Sequence, residues 1–348
     1  MNPYILITML LGLGMGTTIT LTSSHWLLAW MGLEMNTLAI IPIMAQHHHP
    51  RAVEATTKYF LTQAAAAAML LFATATNAWI TGQWDIYQLT HPFPTTMITI
   101  ALALKIGLAP LHAWLPEVLQ GLDLTTGLIL STWQKIAPFA LLLQIQPTNP
   151  NILIILGISS TLIGGWGGLN QTQLRKILAY SSIAHLGWMI LVLQFSPSLT
   201  LLTLITYITM TLSTFLLFKT NKSTNINSLA TSWAKTPALT SLTPLILLSL
   251  GGLPPLTGFM PKWLILQELS KQHLAPIATL AALSALLSLY FYLRISYAMT
   301  LTTSPNNTPG TTPWRLHSNQ TSLLLATSTS ATICLLPLTP ALLTLFTP

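Results

Sequence analysis

Long apolar runs, separated by short polar or Pro/Gly-rich breaks, make up most of this 348-residue chain. A transmembrane helix needs about 20 apolar residues to cross roughly 30 Å of hydrocarbon, and most of the runs reach that length. Cutting the chain at its breaks predicts eleven membrane-spanning helices and no soluble domain. The approximate limits are 3–21, 25–44, 56–79, 94–119, 124–146, 149–169, 177–195, 198–218, 239–271, 275–299 and 320–346.

Composition excludes other classes of protein. Charged residues make up 5% of the chain and hydrophobic residues 52%, whereas soluble domains carry about 25% charged residues. The net charge of +7 comes from 13 Lys and Arg scattered between apolar runs, so they form no basic face for nucleic acid. The single cysteine, Cys334, cannot supply the thiolates of an iron–sulfur cluster. We therefore expect an all-α, polytopic membrane protein that carries no such cofactor.

Basic residues in the predicted loops are distributed unequally between the two membrane faces. The amino-terminal face carries Arg51, Lys58, Arg175, Lys176, Lys219, Lys222, Lys235, Arg294 and Arg315. The opposite face carries only Lys271. Because Lys and Arg collect in cytoplasmic loops, or in matrix loops in an organelle, we predict that the amino terminus lies on that side.

One motif recurs in the fourth and ninth predicted spans. Residues 107–111 (GLAPL) are followed by Pro116, and residues 252–256 (GLPPL) are followed at the same offset by Pro261. Proline removes a backbone donor and clashes with the preceding turn, so both spans should be broken near these motifs. The two spans have opposite polarity, which indicates an inverted repeat of five-helix units around a transport site. Two independent proline kinks are the alternative interpretation. Within a single membrane domain, 1–348, the first repeat covers about 1–146, the second about 147–299, and the final helix about 320–346.

Four charged residues are predicted to lie inside the membrane: Glu34, Lys105, Lys135 and Lys262. Placing each of these charges in the membrane costs about 2.5–3.5 kcal/mol on insertion scales. A single Glu–Lys salt bridge would leave the other two lysines without an acidic partner. A lysine removed from water gives up its proton more easily, and a nearby carboxylate opposes that effect, so a Glu–Lys pair can act as a proton switch. We therefore predict a proton path rather than purely structural pairing.

Histidines within apolar stretches could connect these lysines. His112 and His185 are candidates because imidazole both gives and accepts a proton, although each is equally well explained as a hydrogen-bonded core residue. The run 47–49 (His-His-His) has no Cys, Asp or Glu close by in the sequence, so we expect a wet or partner-facing loop and no metal site. We predict no catalytic residue and no cofactor-binding residue in this chain.

Four longer stretches carry a family resemblance. They are the opening Met-Asn-Pro, residues 30–36 (WMGLEMN), residues 105–117 (KIGLAPLHAWLPE) and residues 251–259 (GGLPPLTGF). The chain resembles, over its whole length, the antiporter-like membrane-arm subunits of respiratory complex I, which are related to Mrp-type cation/proton antiporters. The resemblance implies proton pumping across the mitochondrial inner membrane, with the amino terminus in the matrix, coupled to NADH oxidation and ubiquinone reduction elsewhere in the complex.

The resemblance also implies partners and site residues. Other subunits would hold NADH, flavin, iron–sulfur clusters and ubiquinone, so this chain would be an enzyme only as a subunit of the NADH:ubiquinone reductase. Its partners would be other membrane-arm subunits and lipid, with protons as the only small substrate. By motif match, the proton-path residues are Glu34, Lys105, Lys135, Lys262, His112 and His185. Bacterial members have fourteen helices, and this chain would lack the first three.

Two other functions are compatible with the pattern. A stand-alone secondary cation/proton antiporter would share the inverted repeat and the buried lysines but would work without redox partners. A purely structural membrane scaffold predicts that neutralising the buried lysines is harmless. Purification of the chain alone, with transport activity, would favour the stand-alone antiporter.

Overall fold

The computed structural model of the protein describes residues 3–46, 49–145, 150–234, 236–302 and 323–346. In these ranges the chain is helical, apart from loops and two isolated β-bridges. It forms two compact units, Met1–Gly157 (unit 1) and Ile158–Pro348 (unit 2). The basic residues Lys235 and Arg315, and two histidines of the run 47–49, lie outside the described residues.

The described residues of unit 1 form seven complete helices and the start of an eighth. In chain order, α1 to α8 are Pro3–Thr22, Trp26–Met44, Pro50–Thr81, Pro92–Ile106, Trp114–Gly121, Leu124–Ser131, Trp133–Gln144 and Pro150–Gly167. The third helix packs against α2, α4 and α5, while α1 packs against α2 and α7. Glycine allows the α1–α2 approach, because a Cβ atom on Gly16 or Gly32 would lie 2.8 Å from the carbonyl oxygen of the other.

The third helix is longer than the predicted span 56–79. It has 32 residues, or about 48 Å at 1.5 Å per residue, which exceeds the roughly 30 Å of hydrocarbon. His49 caps its start by accepting a hydrogen bond from the Arg51 N–H at 3.2 Å. The polar first turns, with Glu54 and Lys58, therefore extend beyond the apolar part of the helix.

Unit 2 contains the other helices. In chain order, α9 to α16 are Leu174–Val192, Pro197–Thr220, Ile226–Ala230, Pro237–Gly251, Phe259–Lys271, Ala275–Thr300, Leu323–Cys334 and Thr339–Phe346. The α10 helix contacts α9, α12, α13 and α15, so it lies at the centre of this unit. Its neighbour α9 is almost completely buried.

The predicted breaks in the fourth and ninth spans are confirmed. Helix α4 ends at Ile106 before α5 begins at Trp114, and α12 ends at Gly251 before α13 begins at Phe259. By length and composition, seven helices in the described ranges qualify as spans, or eight with the bent pair at the carboxyl end. The count of eleven therefore stays a prediction.

Two predicted spans contain an interruption, and only the second of them corrects the prediction. The span 124–146 has one non-helical residue, Thr132, between α6 and α7, yet Leu124–Gln144 still qualifies as one apolar span of 21 residues. The final span, predicted at 320–346, bends by 70° between Cys334 and Leu336. Pro337 explains the bend, since it lacks a backbone donor and its ring crowds the preceding turn.

Candidate functional site

The α4–α5 break places Lys105 at the end of a helix. Gly107 ends α4 in the left-handed conformation (φ 86°), which glycine adopts without steric cost. Two of the last carbonyl oxygens of α4 accept hydrogen bonds from side chains. Trp114 Nε1 donates to the Leu104 oxygen at 3.2 Å, and Gln63 Nε2 donates to the Lys105 oxygen at 3.3 Å. The Lys105 side chain, 6% exposed, thus starts from a helix end whose partial negative charge favours a cation.

Lys105 and Lys135 line the same cavity in unit 1. The cavity has a volume of about 20 Å³, which is room for one ordered water. Lys135 is 3% exposed and lies in the first turn of α7, directly after the break at Thr132. Among the described residues, Lys105 Nζ has no hydrogen-bond partner. The cavity therefore joins two buried amines through a space that a water molecule can fill.

Glu34 lies at the edge of this cavity. It is half-buried on α2, and Thr37, which lines the cavity, donates to Glu34 Oε2 at 3.0 Å. The Lys105 ammonium has no hydrogen-bond partner among the described residues. Glu34 and Lys105 are therefore not joined by a direct hydrogen bond.

Unit 2 has a second cavity of the same size, about 20 Å³, beside its own broken helix. Lys262 and His185 both line it. Lys262 lies in the first turn of α13, and its Nζ donates to the Gly251 carbonyl at the end of α12, at 2.7 Å. The His185 ring lies 5.7 Å from the Tyr207 ring. This lysine is therefore anchored to the backbone of the helix that the break interrupts.

His112 stands apart from the other predicted site residues. It lies in the α4–α5 break, half-buried, and it is not among the residues that line the unit 1 cavity. Its Nδ1 is buried without a hydrogen-bond partner in the described part of the chain. The structure thus brings Lys105 and Lys135 together with Glu34 beside them, and Lys262 together with His185.

Uncharged polar residues of the unit 1 cavity escaped the sequence analysis. Asn36, Tyr59, Gln63 and Gln134 all line it. Asn36 is 2% exposed, and neither side-chain atom of its amide has a partner in the described residues. Their signal in the sequence is an amide within an otherwise apolar span, close to Glu34 or Lys135. Formal charge alone does not reveal such residues.

Comparison with known proteins agrees along the whole chain. Residues 23–288 match the family model described as NADH:quinone oxidoreductase/Mrp antiporter, TM, and residues 289–343 match NADH dehydrogenase subunit 2 C-terminus. The chain is 77% identical to NADH-ubiquinone oxidoreductase chain 2 of Tetraodon nigroviridis, over 99% of each chain.

Solved structures show the same architecture. A chain of respiratory complex I from Thermus thermophilus with bound aureothin superposes with a TM-score of 0.87 at 27% identity, covering 98% of this chain and 80% of that one. A chain of the Mrp complex from Dietzia sp. has the same fold, with a TM-score of 0.74 at 18% identity over 95% and 72% of the two chains. The chain therefore belongs to the NADH:quinone oxidoreductase/Mrp antiporter family.

Proposed function

We propose that the two cavities are stations on a proton route through the membrane arm of NADH:ubiquinone oxidoreductase, of which this chain is an antiporter-like subunit. The observation that carries the proposal is the pairing of Lys105 and Lys135 across one cavity, with the Lys105 ammonium free of hydrogen bonds to the described residues. Burying two amines is costly in a membrane, and a purely structural role for Lys105 lacks the partner it would need.

In unit 1, the cavity has room for one water molecule, which can carry a proton between the two lysines. The Lys105 ammonium gives a proton to the cavity water, which passes a proton to the neutral amine of Lys135, so the water is regenerated and one charge has moved. The Glu34 carboxylate at the edge of the cavity attracts the positive charge that moves between the two lysines.

In unit 2, Lys262 and His185 form a separate station. Lys262 can donate a proton towards the cavity while its hydrogen bond to the Gly251 carbonyl keeps the nitrogen in place. His185 can accept a proton on one ring nitrogen and release one from the other. We place His112 on the same route as a peripheral member, because its unpartnered Nδ1 lies in the break between α4 and α5.

The cellular setting belongs to the same proposal. The chain itself holds no redox cofactor, and NADH, flavin, iron–sulfur clusters and ubiquinone bind to other subunits of the complex. It lies in the mitochondrial inner membrane with its amino terminus in the matrix, which the nine-to-one distribution of loop Lys and Arg supports. The first repeat covers about 1–146 and the second about 147–299, since the two broken helices share one motif.

The decisive experiment combines Lys105→Met, Lys135→Met and Glu34→Gln in the assembled complex. Methionine keeps a chain of similar length but cannot titrate, so NADH-driven acidification should fall to background and, through coupling, quinone reduction should fall with it. Lys271→Met is the matched control, because this lysine is exposed and lines neither described cavity. Normal pumping by a fully assembled triple variant would leave the scaffold function standing and end this proposal.

A further inference from the structure

We propose that Asn36 is a positioning residue, whose amide holds the water molecule of the unit 1 cavity between Lys105 and Lys135. This inference rests on the proposed function and adds one residue to it. Asn36 lies on α2 and lines the cavity together with both lysines. It is 2% exposed, and neither Nδ2 nor Oδ1 has a hydrogen-bond partner among the described residues. The cavity is therefore lined by a buried amide whose hydrogen-bonding groups the described chain does not use.

The neighbouring helix α1 fixes the position of the Asn36 side chain. A Cβ atom on Gly16 would lie 2.6 Å from Asn36 Oδ1 and 2.9 Å from Asn36 Cγ, so the glycine at this position makes room for the amide. The amide oxygen thus faces α1. The nitrogen lies on the other side of Cγ and carries two donor hydrogens. Asn36 Nδ2 is therefore the group that is directed away from α1 and is available to the cavity that Asn36 lines.

The backbone of Asn36 is tied to the turn that carries Lys135. Gln134 Nε2, on α7, donates to the Asn36 carbonyl oxygen at 3.4 Å. Gln134 also lines the cavity, and it directly precedes Lys135 in the first turn of that helix. Helices α2 and α7 are thus joined beside the cavity. Asn36 therefore has a defined position relative to the lysine that would receive the proton.

A packing role alone does not explain an amide at this position. Leaving a buried donor and a buried acceptor without partners is unfavourable, whereas an apolar side chain of the same shape avoids that cost. Leucine has the branched shape of asparagine and would fill the same space. Buried water molecules bind polar groups of this kind, and the cavity has room for one of them. Asn36 Nδ2 therefore donates a hydrogen bond to the water that lies between the lysines.

Held in this way, the water has the orientation that proton transfer needs. Its two lone pairs accept hydrogen bonds from the Lys105 ammonium and from Asn36 Nδ2, which leaves its own hydrogens for the neutral amine of Lys135. As an N–H bond of Lys105 breaks and an O–H bond forms, another O–H bond of the same water breaks and an N–H bond forms on Lys135. The amide neither gains nor loses a proton. Its contribution is orientation, which removes the search for a productive geometry.

The test compares Asn36→Leu with Asn77→Leu in the assembled complex, reconstituted in vesicles. Asn77, on α3, is the matched control. Its amide is equally buried and has no partner in the described part of the chain, but Asn77 lines neither described cavity. Asn36→Leu should lower NADH-driven proton pumping about tenfold, the shift expected from one lost hydrogen bond. The solvent deuterium isotope effect on quinone reduction should rise, because transfer through the cavity becomes the slow step.

Stability and a conservative variant complete the test. The unfolding temperature of Asn36→Leu should equal or exceed that of the wild type, because the amide has no partner to lose among the described residues. Asn36→Ser keeps one donor and should retain more pumping than Asn36→Leu. Asn77→Leu should leave pumping and the isotope effect unchanged. Native gels establish assembly of each variant before these measurements.

Several results would overturn the role of Asn36. Normal pumping by Asn36→Leu, while the triple variant of Lys105, Lys135 and Glu34 stalls, would end this inference and leave the proposed function standing. Normal pumping by both would end the proposed function as well. An equal loss in Asn77→Leu would show that buried amides act through helix packing. A lower unfolding temperature of Asn36→Leu, or equal losses of pumping in Asn36→Ser and Asn36→Leu, would replace water positioning with a structural role.

Discussion

The two broken helices share one backbone arrangement but carry their lysines on opposite sides of the break. Gly107 and Gly252 both adopt positive φ, 86° and 80°, and both end a helix of 15 residues. Lys105 precedes its break, whereas Lys262 follows its own. When Gly107 is aligned with Gly252, Leu250 stands in the place of Lys105, and Glu117 stands in the place of Lys262.

The difference separates two roles that a buried lysine can have. Lys262 Nζ donates to the last carbonyl of α12, so its ammonium completes the end of a helix as well as facing a cavity. Lys105 Nζ makes no such bond within the described structure, and the helix end behind it is completed by Trp114 and Gln63. The Gly/Pro motif thus determines where the backbone breaks, and separate positions determine whether the lysine supports that break.

The largest effect is expected from an alanine at the end of the second break. A Cβ atom on Gly258 would collide with the Ser249 carbonyl oxygen, and a backbone group cannot move aside like a side chain. The aligned residue in unit 1 is Ala113, which is exposed. Gly258→Ala should therefore destabilise the complex by about 3 kcal/mol, at the upper end of overpacking, whereas Ala113→Gly should cost less than about 1 kcal/mol. Thermal unfolding of the purified complex measures both, and equal losses would contradict the comparison.

A second, smaller difference should appear when the lysines themselves are replaced. Lys262→Met removes the donor to the Gly251 carbonyl and should cost about 2 kcal/mol of stability, as is usual for a lost charged hydrogen bond. Lys105→Met removes a buried amine without such a bond, so stability should be unchanged or slightly raised. The unfolding temperatures of the two variants, measured in the same detergent, test this ranking. A larger loss for Lys105→Met would mean that its ammonium has a structural partner after all.

The sequence predicted helix limits and breaks well because those depend on local chemistry. Apolar length and proline placement located α4, α5, α12 and α13 to within a few residues. The single non-helical residue at Thr132 was not predicted, because nothing in the surrounding apolar sequence distinguishes it. The shape of each cavity could not be predicted either, since it arises from side chains on several helices. His112 illustrates this: its motif position was clear, but its distance from the cavity lining depends on packing.

The histidines should differ in the same way as the lysines. His185 lines the cavity that contains Lys262, while His112 lies outside the lining of the Lys105 cavity. We expect His185→Gln to reduce NADH-driven proton pumping severalfold, because glutamine has a similar size but cannot titrate. His112→Gln should reduce it less, in keeping with a peripheral position. Pumping and quinone reduction are measured side by side in vesicles, and a stronger effect of His112→Gln would reverse the assignment of the two histidines.

The smallest effect is expected from replacing Lys58, which forms ion pairs with two carboxylates. Lys58 Nζ lies 2.8 Å from Glu54 and 2.8 Å from Glu117, the residue aligned with Lys262, but all three side chains are more than 40% exposed. Ion pairs in water contribute little, because solvent and salt screen them. Lys58→Met should therefore leave pumping and stability close to wild type at every salt concentration. This is expected even though Lys58 has two carboxylate partners, whereas the Lys105 ammonium has no hydrogen-bond partner among the described residues. Loss of pumping in Lys58→Met, measured at low and high salt beside Lys105→Met, would show that the exposed ion pairs belong to the proton route. In that event, burial would no longer distinguish the proton-carrying lysines of unit 1 from the other lysines of that unit.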